Sequence, residues 1–499
     1  MEKSIKNNYI GVLDIGTTSI RFILFHADCS TFYESFKQIS QSYPDSGWVE
    51  EDPDEILNAV EFVVQEAIAK LNGTAEKISA IGLCNQREST LIWNKRSGKA
   101  LSPVIVWQDR RTSKRCDELK KEINEDLIKS KTGLMLDPYF SATKLEWLLK
   151  HSKIDNFSDV SFGTLDSWII FNLTGKHYTD VSNASRTLMF NINTLKWDDE
   201  LLNLFNIPKS ILPEVKASYG NALFGYTKKN SVFKREIPVC SVLGDQQSAL
   251  FGQKCYKKGD IKSTFGTGCF LMMNTGKEKI DSKNNLLATI YYQSDKGETY
   301  YALEGSVYNA GSIFQWLKEE MDLINDYSEI ALIGKDVDYQ KDFFIVPAFT
   351  GLGAPYWDPY ARGLAIGISR STGKKEFIKA TLESVAYRTK DVTIAMENDT
   401  GIKFTEMKID GGVSKDKLFC RVLSDILGIK ILKFDMKEIT ALGAMYGAGI
   451  GLGIWEDTSA INENRVFNEY NPTISEALRE ELYGSWKEAV ERSRKWMLK

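Results

Sequence analysis

The sequence predicts an α/β fold built from two similar halves, and three observations predict it. Strand and helix signals alternate along the 499 residues, with no low-complexity tract or long Pro/Gly linker. The segment Asp52 to Cys84 reads as a complete helix feeding a buried strand. A strand–turn–strand unit whose turn carries Gly and Thr occurs twice, near the start and near the middle of the chain.

The first unit opens with Tyr9 to Asp14 as a strand, turns at Gly16-Thr17-Thr18, and returns as Arg21 to Phe25. Asp52 then suits a helix cap, Pro53 the first helical position, and Asp54 and Glu55 the positive helix start. Ile56, Val60, Val63, Ala67 and Leu71 keep helical spacing until Asn72-Gly73 stops the helix. Ile78 to Cys84 is a buried strand, so Arg87 and Glu88 fall just past its carboxyl end, where open α/β sheets present ligand groups. Ile237 to Leu243 is another buried strand, and Gln246 to Phe251 opens a helix. The second unit is Asp260 to Thr264, the turn Gly266-Thr267-Gly268, and the apolar run Cys269 to Met273. A boundary between Gly252 and Gly259 divides the chain into domains 1–253 and 254–499. Further on, Met407 to Asp410 leads into Gly411-Gly412 and a helix from about Lys415 to Leu427. Thr440 to Gly449 is a helix whose Gly443, Ala444, Gly447 and Ala448 permit close packing. A last helix spans Ile474 to Leu498 and packs on its own domain.

Composition narrows the function. Apolar residues make up 43% and charged residues 26%, which suits a packed protein and excludes a disordered or fibrous chain. The net charge of −4 offers no basic footprint for nucleic acid. Seven scattered cysteines without a CxxC pair argue against metal fingers and a disulfide framework, and fit a reducing compartment. Asp14 and Arg21 interrupt the only apolar N-terminal run, and no 18-residue apolar stretch exists, so no membrane span is expected. A cytoplasmic protein is the expectation.

Chemistry concentrates in a few segments. No GxxxxGK[ST] motif occurs. The turn Asp14 to Ser19 still offers what phosphate needs: backbone N–H groups around Gly16, hydroxyls on Thr17, Thr18 and Ser19, and the charge of Arg21. Asp14 is a hard oxygen ligand able to hold Mg²⁺ through water. The same residues equally make a plain hairpin turn. Asp245 sits at a strand end beside a helix start, which suits a helix cap or a base for phosphoryl transfer. Arg87 beside Glu88 reads either as a pair for vicinal hydroxyls or as a solvated ion pair. Trp107 and Tyr139 read either as walls for a polyol or as core packing.

Taken in order, these segments resemble the FGGY carbohydrate kinases over nearly the whole chain, from Ile10 to about Trp496. The resemblance is carried by Asn85-Gln-Arg-Glu88, Val106-Trp-Gln-Asp-Arg-Arg-Thr112, Asp137-Pro-Tyr-Phe140, Asn183-Ala-Ser-Arg186, Gly244-Asp-Gln-Gln247, Gly266-Thr-Gly-Cys-Phe270 and the run Gly351 to Gly363. It implies two ribonuclease-H-like domains of the actin and hexokinase type flanking a catalytic cleft. It implies ATP-dependent phosphorylation of glycerol with Asp245 as the base. Arg87, Glu88, Tyr139, Asp245 and Gln246 would hold the hydroxyls, while Trp107 and Phe270 would line the carbon face. Thr17, Thr18, Ser19, Arg21, Thr267, Gly311, Gln315, Gly412 and Asp416 would contact ATP, and Asp14 would position Mg²⁺. A dimer or tetramer is implied as well. Ile15 stands where many members carry Gln, and Asp416 where an Asn is common.

Overall fold

The structure is a computed structural model that describes residues 8–154, 156–434, 438–461 and 466–497. Two mixed sheets dominate it, and they share one wiring diagram. In the first, β1 (Tyr9–Ile15) pairs antiparallel with β2 (Ser19–Phe25), which pairs antiparallel with β3 (Thr31–Gln38). On its other side β1 runs parallel to β4 (Ile78–Asn85), and β4 runs parallel to β5 (Val239–Gly244). In the second, β6 (Ile261–Phe265) pairs antiparallel with β7 (Cys269–Gly276). β8 (Leu287–Gln293) and β9 (Thr299–Val307) extend that edge. On the other side β6 runs parallel to β10 (Glu406–Asp410), and β10 parallel to β11 (Lys430–Phe434), which β12 (Phe467–Tyr470) closes. The duplicated hairpins therefore occupy equivalent central positions in two equivalent sheets.

Local sequence explains the flanking elements. α1 (Pro53–Lys70) starts where expected, with the Asp52 carboxylate accepting the Asp54 N–H at 2.8 Å. It covers the first sheet with Ile56, Val60, Val63, Val64 and Ala67. The small-residue helix α6 (Ile439–Gly451) comes late in the chain yet packs against α2 (Asp245–Gly252) and against β1, β4 and β5 of the first sheet. Only glycine allows the contact. A Cβ on Gly443 would lie 1.9 Å from the Ser248 carbonyl oxygen, and one on Gly252 would lie 2.0 Å from that of Ile439. Around this helix pair a separate core joins Ile10, Val12 and Cys84 of the first sheet to Met272, Tyr291 and Ala302 of the second. The two halves are thus joined by a shared apolar core.

Two expectations are corrected. The helix expected from Lys415 is a 3₁₀ turn (Val413–Lys415) followed by α5 (Lys417–Leu427), because Asp416 caps the helix at that point. The last helix is α7 (Glu476–Ser493): Ser475 caps it, and it ends short of the expected Leu498, which lies outside the described residues. It packs as foreseen on its own half, with Leu482, Trp486 and Val490 in the second core. The Gly-rich run Thr350 to Pro355 packs on the second sheet: the Ala354 N–H donates to the Ser306 carbonyl at 3.0 Å, and Gly353 abuts the end of β9. All seven cysteines are buried and none is disulfide-bonded. Among the described residues, no helix is long and apolar enough to cross a membrane.

Candidate active site

The carboxyl ends of β1, β4 and β5 form one rim. Their register sets Ile15, Asn85 and Gly244 side by side. Asp14, the pair Arg87–Glu88 and Asp245 consequently come from three adjacent strand ends. Asp245 is the first residue of α2, with Gly244 in the cap position, and its Oδ1 accepts its neighbour's N–H at 2.7 Å.

Arg87 and Glu88 are not a solvated pair. Both are buried, and Glu88 holds a left-handed backbone, φ +63°. For a non-glycine residue that is the kind of strain functional loops retain. The Arg87 guanidinium donates to Glu304 through Nη1 at 2.6 Å and Nη2 at 3.1 Å. Its Nε lies 3.2 Å from Asp245 Oδ1. Arg186 completes the cluster, donating from Nε to Glu88 at 2.6 Å and from Nη2 to Glu304 at 3.0 Å. Arg87, Glu88, Arg186 and Glu304 are at most 2% exposed at their side chains, whereas Asp245 is 33% exposed. Of these five charges, Asp245 is by far the most exposed.

Burial pushes the Asp245 carboxyl up, Arg87 pulls it back, and Glu88 raises it again, leaving it at about 6. Glu304 goes the other way. Its burial is outweighed by Arg186 and Arg87, which hold it down at about 2.

Three aromatic rings stand beside this cluster. Trp107 meets Tyr139 edge-on at 5.7 Å and Phe270 edge-on at 6.2 Å. All three are half-buried, so they are not core residues. They form an apolar corner, of the kind that takes the carbon face of a small polyol. The Trp107 indole N–H donates to the Thr17 hydroxyl at 3.2 Å, tying that corner to the first hairpin.

The hairpin turns match one another. The Gly16 N–H donates to the Ser19 carbonyl at 3.0 Å, and the Gly266 N–H to the Gly268 carbonyl at 2.9 Å. Thr18 and Thr267 are exposed at the tips, and Ser19 is half-buried. Behind the second turn, the start of α3 (Gly311–Glu319) is pinned by the Gly311 N–H on the Gly266 carbonyl at 2.9 Å. A Cβ there would lie 2.5 Å from that oxygen. Gly412 faces open space.

Other expected contacts have partners of their own. Arg21 donates to Asp14 at 2.5 Å and also to Glu438. Gln315 donates to Glu319 at 2.8 Å. Asp416 accepts the Leu418 and Phe419 N–H groups at 2.7 and 3.1 Å as the cap of α5. The sequence reading missed Glu304 and Lys262 altogether. Arg186 falls within the Asn183-to-Arg186 motif, but nothing in the sequence assigns it a role. Lys262 is buried and donates to the Gln246 side-chain oxygen at 2.5 Å.

Two like-built α/β halves, each carrying a Gly/Thr turn, and a buried arginine–carboxylate cluster with one exposed aspartate make up the arrangement of a two-domain small-molecule kinase. The chain belongs to the FGGY family of carbohydrate kinases, whose N-terminal domain matches residues 9–252 and whose C-terminal domain matches residues 261–452. Its curated relatives include a glycerol kinase of Alkaliphilus oremlandii, 46% identical with 98% of each chain covered. A glycerol kinase of Haloarcula marismortui is 42% identical over 98% of this chain and 99% of its own. Among solved structures, Plasmodium falciparum glycerol kinase with ADP superimposes with a TM-score of 0.90 at 34% identity, covering 97% of this chain and 98% of that one.

Proposed function

We propose that this kinase transfers the γ-phosphoryl group of ATP to glycerol, giving sn-glycerol 3-phosphate. The observation that carries the reading is that Asp245, the most exposed of its charge cluster, shares one end of the first sheet with Asp14 and the Arg87–Glu88 pair, while the ring of Trp107 ties the aromatic corner to the first Gly/Thr turn. The lobes are residues 1–253 and 254–499, and the cleft between them is the site.

In this reading Arg87, Glu88, Tyr139, Asp245 and Gln246 bind the glycerol hydroxyls, and Trp107 and Phe270 contact its C–H face. Thr17, Thr18, Ser19 and Arg21 from the first hairpin, with Thr267, Gly311, Gln315, Gly412 and Asp416 from the second lobe, approach the nucleotide. Asp245 accepts the proton of the terminal hydroxyl as its oxygen attacks the γ-phosphorus in line; the P–O bond to ADP breaks and ADP leaves. Both turns present backbone N–H groups and hydroxyls where negative charge spreads on the equatorial oxygens. The Asp14 carboxylate, at the end of β1 beside the first turn, fits Mg²⁺, which keeps most of its waters and takes few protein ligands. Asp14 would hold it, and its charge would offset that of the phosphates. Closure of the lobes would exclude water, so that glycerol outcompetes it as acceptor.

The direct test is ADP release with glycerol, dihydroxyacetone, erythritol, xylulose and gluconate in parallel. Glycerol is expected to give the highest kcat/KM, and a five-carbon acceptor in first place would refute the substrate. Phe270→Ala should raise the glycerol KM roughly tenfold and leave the ATP KM unchanged, as removal of an apolar wall does. An unaltered glycerol KM would remove Phe270 from the pocket. Asp245 must be ionised to act as base, and its pKa is about 6. The kcat/KM for glycerol should therefore be flat above neutrality and fall about tenfold per pH unit below about 6. A profile flat down to pH 5 would show that no such group controls the step.

A further inference from the structure

We propose that Lys262 is a positioning residue of the phosphotransfer site: its ammonium, carried by the second hairpin, fixes the Gln246 amide and places a positive charge beside Asp245. The inference rests on the reading of Asp245 and Gln246 given above.

Lys262 is the second residue of β6 and is 0% exposed. It donates to Gln246 Oε1 at 2.5 Å and to Thr264 Oγ1 at 2.9 Å. No carboxylate among the described residues lies within 4.0 Å of its nitrogen. A lysine sealed away from water without a direct counter-ion is costly for a fold to hold. Asp410 and Asp245 attract it at longer range, Arg87 opposes it, and Glu304 contributes from β9. Burial outweighs these attractions and lowers its pKa.

Two consequences follow from its position. An ammonium only donates, so it dictates which end of the Gln246 amide it receives. The carbonyl is taken, and the NH₂ is left as the group offered to a polyol oxygen. Without Lys262 the amide is free to turn over and present an acceptor instead. The second consequence is electrostatic. The groups acting on Asp245 are Arg87, Glu88 and Lys262, with the Cys84 thiol nearby. Lys262 belongs to the second half of the chain, whereas Asp245 and Gln246 belong to the first. The setting of the base therefore depends on how the two sheets are seated.

The test uses the full chain with Lys262→Met, which keeps the apolar stem and removes charge and donors, and Lys262→Arg, which keeps the charge. Lys262→Met should move the acid limb of kcat/KM upward by about half a pH unit or more, because a carboxylate that loses a neighbouring cation becomes a weaker acid. Glycerol KM should rise roughly tenfold, the effect of a misoriented polar group, with ATP KM nearly unchanged. Lys262→Arg should restore most of both. A Lys262→Met protein with the wild-type acid limb and glycerol KM, and only a lower melting temperature, would overturn the proposal, since a merely structural lysine behaves that way. If that variant does not fold, Thr264→Val removes the second anchor of the ammonium and should still raise glycerol KM; an unchanged value would equally overturn it. Glycerol-dependent ADP release by the wild-type protein tests the substrate assignment separately.

Discussion

Asp245→Asn is expected to fold normally and to lose at least about a hundredfold in kcat, the low end of what a positioned general base contributes. The reason lies in the charge cluster. Arg87 binds Glu304 through both terminal nitrogens and touches Asp245 only through Nε at 3.2 Å. Removing the aspartate charge leaves the guanidinium with its principal partner, so the fold has little to lose. An asparagine occupies the same space but accepts no proton, and it adds an amide donor where a base is needed. The measurement is single-turnover phosphoryl transfer beside a thermal melt. A variant with wild-type turnover would remove Asp245 from the chemistry. A variant that melts far below wild type would show that the carboxylate is chiefly structural.

The second large effect is expected at Glu304. Glu304→Ala removes the acceptor of three charged N–H groups, two on Arg87 and one on Arg186; Arg87 Nη1 keeps only Gln247 Oε1 at 3.2 Å, and the other two nitrogens keep none among the described residues. Breaking a buried ion cluster from one side costs about 3–5 kcal/mol. The sign of the linkage is clear. The folded pKa of Glu304 is depressed to about 2, so its stabilisation is present above the ordinary carboxylate range and is lost as pH falls toward 2. The variant should therefore lower the denaturation midpoint markedly at neutral pH and much less near pH 3. Activity should also fall, because Arg87 released from Glu304 draws closer to Asp245 and weakens it as a base. Denaturant melts at both pH values provide the check, and equal midpoints for variant and wild type at pH 7 would refute the account.

The element order was legible in the sequence because local rules govern it. The Asp52–Pro53 helix start, the alternating strand and helix signals and both Gly/Thr turns depend on neighbours within a few residues. The reactive groups at strand ends were legible for the same reason, since a strand's carboxyl end can be placed without knowing its partners. The errors fell at helix ends: Asp416 drew the start of α5 two residues later, and α7 ended at Ser493 rather than running on.

What the sequence alone determined is a pair of hairpins and a set of candidate side chains. What the tertiary structure alone decided is which of those side chains stay free. Arg87 meets Glu304 across 217 positions, Arg186 meets Glu304 across 118, and Trp107 meets Thr17 across 90. No periodicity encodes such meetings. Whether a charge is neutralised, shifted or left open depends on the groups that the packing of two sheets brings within a few ångströms of it, because Coulomb and desolvation energies are set by distance and burial rather than by order along the chain.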